Sequence, residues 1–154
     1  MTRILDFLAQ KNLGYLGTLN AVSKAPQGAM VYFAAENSAL IICTAKNSRK
    51  IVNLRADGRV SLTIGDESKL LTLQLEGTAE TIDDFDNCSH YLQLIVARIS
   101  SQTNSLKMPL LMTIKHEDIA AIRLKVSKFK FSDFSSDSPK IFEGTGVELF
   151  GEQG

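Results

Sequence analysis

From Ala39 to Thr44 the chain reads Ala-Leu-Ile-Ile-Cys-Thr, an unbroken apolar run closed by a hydroxyl. A strand without polar alternation is one buried on both faces, so the architecture around it must supply cover on two sides. Its neighbours are strand-like too. Tyr15 to Asn20 (YLGTLN) and Gly28 to Ala35 (GAMVYFAA) flank a polar turn around Ser23 to Pro26, and Asn37-Ser38 makes a tight turn into the apolar run. Three antiparallel strands in succession are expected.

The pattern then changes. KNSRKIVNLRAD places Ile51, Val52 and Leu54 among polar residues and stops at Asp57-Gly58, which predicts a short helix opening near Ser48. RVSLTIG and LLTLQLEGTAETI alternate as a second hairpin, with Leu71, Leu73 and Leu75 on one face and Gly77 marking a bulge or a close backbone approach. Asp83 and Asp84 suit a helix start, and Phe85, Cys88, Leu92, Ile95 and Ile99 then recur at helical spacing to about Ser101. A shorter helix is predicted at the beginning, on Ile4, Leu5, Phe7 and Leu8. Beyond Pro109 come three strand-like runs, LLMTIK, IAAIRLKV and FKFSDF.

Some six strands with hairpin connections and three helices predict an α+β fold, an antiparallel six-stranded β-barrel with flanking helices. A length of 154 residues suits one domain over residues 1–154. Strands and helices do not alternate, and no glycine-rich strand-to-helix turn is present, which argues against a dinucleotide fold. Lys plus Arg equals Asp plus Glu at 17 each, so no global field draws a nucleic acid or an acidic membrane, and any anion site must be local. No segment approaches the roughly 20 apolar residues of a membrane span. With Cys43 and Cys88 read as buried free thiols, the expected location is cytoplasmic. His90 and His116 stand apart from each other and from any cysteine at ligand spacing, so no metal site is expected.

The segment from Ile41 to Leu54 brings polar devices together. Thr44 closes the strand, Ser48 can cap the helix whose free amides point outward, and Arg49 and Lys50 set two cations in its first turn. Cations there oppose the helix dipole by a few tenths to about 1 kcal/mol each, so the pair calls for an anion or for full solvation.

YLGTLN, PQGAMVYFA, LIICTAKNSRKIVNL, GRVSLTI and LQLEGTAE, in that order, resemble the pyridoxamine 5′-phosphate oxidase-like family of FMN-binding split barrels. The resemblance runs from about Ile4 to Ile82. Its more specific elements are the Ser-Arg-Lys helix start, the Asn-Leu that follows and the strand ending E-G-x-A-E. It implies FMN as cofactor and a homodimer with the flavin at the subunit interface. It also implies Arg49 and Lys50 as phosphate ligands, Ser48 opening their helix, Thr44 beneath the phosphate, Gln27, Met30 and Val31 along the isoalloxazine ring, and Thr72 as a polar contact near it. The vitamin-converting oxidases carry further basic residues in the second strand and a tryptophan and arginine near the C-terminus, whereas this chain reads GAMVYFA and has no tryptophan. The resemblance thus implies an FMN-dependent oxidoreductase of unassigned substrate, the alternative being a non-catalytic flavin- or haem-binding module.

Overall fold

The structure, a computed structural model, describes residues 2–102 and 114–151. Helix α1 (Thr2–Ala9) leads into strands β1 (Leu13–Leu19), β2 (Pro26–Glu36) and β3 (Ala39–Ala45). Helix α2 (Arg49–Ala56) is followed by β4 (Arg59–Asp66), β5 (Leu71–Ile82) and the long helix α3 (Phe85–Gln102). A 3-10 turn at His116–Asp118 opens β6 (Ile119–Asp133), and β7 (Lys140–Thr145) and α4 (Gly146–Phe150) complete the described chain. The run LLMTIK lies almost wholly outside the described residues. Its described end, Ile114 and Lys115, is not strand.

The strands pair in the order β3-β2-β1-β4-β5-β6-β7, and a β3–β6 pairing closes the first six into an antiparallel barrel. Local chemistry sets the turns. Asn37 and Ser38 both take positive φ, 48° and 62°, the backbone that a two-residue hairpin between right-twisted strands requires. Register then follows, with Phe33 opposite Ile42 and Glu36 opposite Ala39.

Inward-facing residues of every barrel strand build one core, with Leu16, Phe33, Leu40, Ile42, Leu62, Leu73, Leu75 and Ile122 essentially sealed. Each such large side chain contributes about 1.5–3 kcal/mol on burial. A second core lies outside the barrel, where α3 lays Cys88, Leu92, Ile95 and Ile99 over Ile41, Cys43, Ile119 and Ala121. Strand β3 is therefore buried on both faces, and both cysteines are buried and free. Burial pushes the Cys43 thiol up to about 12, so it packs as an apolar group.

Two features differ from the sequence expectation. The runs IAAIRLKV and FKFSDF form one 15-residue strand that changes partners: Ile119 to Lys125 pair with β3, and Lys128 to Asp133 pair with β7. The break between them is a bulge. The β5 register jumps at Glu76/Gly77 and passes over Ser127, whose hydroxyl donates to the Glu76 carbonyl at 3.0 Å. A Cβ at Gly77 would collide with the Lys125 carbonyl oxygen, so the expected bulge and the expected close approach coincide there. The second feature is the added hairpin partner β7 with α4, which the tail sequence did not announce. Helix α4 is held by a reciprocal cap in which Thr145 accepts from the Glu148 amide and the Glu148 carboxylate accepts from the Thr145 amide.

Candidate functional site

Helix α2 sits across one end of the barrel. Ser48 is its N-cap, accepting from the Ile51 amide at 3.4 Å, and Ile51, Asn53 and Leu54 form its buried face. Capping leaves the amides of Arg49 and Lys50 without intrahelical acceptors. In front of this first turn lies a cavity of about 300 Å³, lined by Thr18 of β1, Gln27, Gly28 and Ala29 of β2, and Arg49, Lys50 and Asn53 of α2.

Asn53 is the residue that ties the site together. It is 1% exposed; its Oδ1 accepts from the Ala21 amide at 3.0 Å, and its Nδ2 donates to Thr18 Oγ1 at 3.0 Å and to Gln27 Oε1 at 2.8 Å. Thr18 and Gln27 are themselves opposite each other across β1 and β2. One amide thus joins the helix, both strands and the turn between them.

Among the described residues neither Arg49 nor Lys50 has an ion-pair partner, a state they share with cations such as Lys24, Lys46 and Lys69; what sets the pair apart is that the two are adjacent and line one cavity. Lys50 is half-buried, and that burial lowers its pKa, the signature of a cation short of water and of counter-charge. Two cations and two free amides suit a compact anion, and the edge beside them is open, since a Cβ on Gly28 would meet nothing. The donor set fits a flavin phosphate.

Of the residues singled out in the sequence, Gln27, Arg49 and Lys50 meet in this cavity, and Ser48 caps the helix that shapes it. Thr44 is buried at the end of β3 opposite Ala120, two residues beyond Ile42 and so on the barrel-facing side. Met30 projects outward, 62% exposed, beside an equally exposed Tyr15. Val31 points into the barrel core, which leaves only its backbone for any outer ligand. Thr72 stands elsewhere. It pairs with Gly65 and opens on a separate groove of about 670 Å³ with Leu13, Tyr15, Leu70 and Phe134. That is six residues along β5 from Thr78, which shares a groove with Thr18, or roughly 20 Å at strand rise.

Thr18 and Asn53 escaped the sequence reading as site residues. The signal was a polar residue on a face that otherwise reads apolar, after Leu16 in one case and between Ile51 and Leu54 in the other. The histidines lie away from the cavity, His90 bonded to Glu36 at 2.8 Å and His116 in the 3-10 turn. Among the described residues no helix is long and apolar enough to cross a membrane.

Comparison with known proteins agrees with the barrel. No curated protein matches the chain. A protein related to general stress protein 26, of the pyridoxine phosphate oxidase family from Clostridium acetobutylicum, superimposes with a TM-score of 0.71 at 15% identity, over 96% of this chain and 95% of that one. An F420 reductase gives a TM-score of 0.63 at 20% identity, over 80% and 94%. A heme binding protein from Mycobacterium smegmatis gives 0.69 at 19% identity over 94% of this chain, which spans only 56% of that protein's length. At such identities the likeness is one of fold. The family model for pyridoxamine 5′-phosphate oxidase matches residues 2–132, from α1 to the end of β6 and across the whole cavity. On that match, set on a closed barrel of the same architecture, the chain belongs to the pyridoxamine 5′-phosphate oxidase family.

Proposed function

We propose that the protein is an FMN-dependent oxidoreductase that holds the cofactor's phosphate in the cavity before α2. The observation that carries this reading is the adjacent pair Arg49 and Lys50, which face a common cavity without an anionic partner. Arg49 and Lys50 supply charge, the first α2 amides supply directed donors, and Ser48 holds the helix start that aims them. FMN, when bound, supplies hydride and electron transfer, so no side chain of this chain needs to act as acid or base. Haem, which the mycobacterial relative binds, is the competing ligand. The cavity favours the flavin, because its donors match a phosphate and neither histidine lines it.

The same reading makes the protein a homodimer. Thr72 and the cations open on separate cavities, so a flavin contacted by both draws Thr72 from a second copy. The side-by-side Tyr15 and Met30, each 62% exposed, offer an apolar surface for that contact. Titrating flavin-free protein with FMN, followed by flavin fluorescence, should give one site per chain and a flavin absorbance band. Sedimentation at low micromolar concentration should show a dimer. A haem band in the purified protein, or a stable monomer that binds FMN one-to-one, would overturn these assignments.

A further inference from the structure

Gln27 carries a directional signal that the family resemblance does not contain. A backbone amide can only donate, so the Ala21 N–H fixes Oδ1 of Asn53 as the acceptor and leaves Nδ2 to face Gln27 and Thr18. Gln27 must then present its Oε1 to Asn53, at 2.8 Å, and turn its own NH2 away. Among the described residues that Nε2 has no partner, and every side-chain polar atom sealed from solvent has one, so the Gln27 NH2 is an accessible, unused donor on a residue that lines the cavity. We propose that Asn53 is a positioning residue that locks Gln27 as a donor beside Arg49 and Lys50. Gln27 is then a specificity residue for a pure acceptor there, a phosphate oxygen. The proposal rests on the flavin reading and refines it by moving Gln27 from the ring to the phosphate.

Asn53 also holds structure, so stability alone does not test its role. The discriminating readout is affinity for FMN against riboflavin, which lacks the phosphate. Gln27→Met should weaken FMN binding roughly 10-fold or more, the loss of one hydrogen bond to a charged group, and leave riboflavin unchanged. Asn53→Ala should do the same, and the double variant should be no worse than the weaker-binding single, because the two act through one donor. In wild-type protein the Gln27 side-chain amide resonance should shift on titration with inorganic phosphate, a result independent of whether any variant folds. Equal losses for FMN and riboflavin, additive losses in the double variant, or a Gln27 amide that ignores phosphate would overturn the proposal. A wild-type protein that shifts with phosphate but binds no FMN would leave the donor in place and remove the flavin reading instead.

Discussion

Two helices of eight residues each, α1 and α2, cover opposite ends of the same barrel, and they do so with opposite chemistry. The α1 end is an apolar plug. Ile4, Phe7 and Leu8 are buried, Phe7 meets Phe131 edge-on with centroids 5.6 Å apart, and the cations nearby are neutralised, Arg3 by Asp133 and Lys11 by Asp66, both at 2.5 Å. The α2 end buries an asparagine among strand hydroxyl and amide groups and leaves two adjacent cations unpaired over a cavity. A fold that needed only closure would repeat the first solution. The second sets two adjacent cations, Arg49 exposed and Lys50 half-buried, beside a cavity without an anionic partner, an arrangement that closure does not call for and that an anionic ligand would use.

If the ends divide labour in this way, substitutions should separate binding from stability. The largest effect is expected from Arg49→Ala with Lys50→Ala. Losing two charge-assisted contacts of about 1.5–3 kcal/mol each should weaken FMN binding at least 100-fold, while the urea midpoint of the flavin-free protein stays put. Next is Phe7→Ala, which empties the α1 plug and should cost about 3–5 kcal/mol in urea unfolding. FMN affinity of its folded fraction should match wild type. A Phe7 variant that loses affinity without losing stability would erase the distinction.

Acid should separate the ends more gently. The Ser135 hydroxyl and amide and the Arg3 guanidinium hold the Asp133 carboxyl down at about 2, against 3.8 ordinarily. Lys11 and Ser68 likewise hold Asp66 well below the carboxylate range. A depressed folded pKa stabilises the fold above the unfolded value, and that stabilisation is lost as pH falls through the folded one. The α1 end should therefore hold down to about pH 4 and weaken between about 4 and 2. A phosphate monoester takes up a proton near pH 6, so FMN affinity should fall below about pH 6 with the fold intact. Affinity measured between pH 8 and 4, with circular dichroism melts carried from pH 8 down to about pH 2, checks both; binding and unfolding that titrate together would merge the two ends.

The ends also differed in how far the sequence disclosed them. Apolar spacing exposed α1, because Ile4, Phe7 and Leu8 repeat with the helix period. The unbroken ALIICT run likewise foretold a strand covered twice, and Asn37-Ser38 and Gly77 marked a turn and a bulge that the backbone takes up. At α2 the first-turn cations were legible as a local anomaly of charge. Their partners were not, since Thr18, Gln27 and Asn53 meet only once β1, β2 and α2 have packed. The unity of β6 was hidden for a related reason: Ser127 interrupts its alternation, and only pairing with Glu76 shows that the strand continues through a bulge. Strand β7 exposes nearly every residue, so it has no burial pattern to read.

The central claim, that the α2 end holds a phosphate, is tested most directly by comparing FMN with riboflavin on the wild-type protein. The ring and ribityl chain are common to both, so the ratio isolates what Arg49, Lys50 and the helix amides contribute. FMN should bind at least about 100-fold more tightly in low salt, and the advantage should shrink as ionic strength rises. Equal affinities for the two would show that no phosphate sits there and would contradict the account.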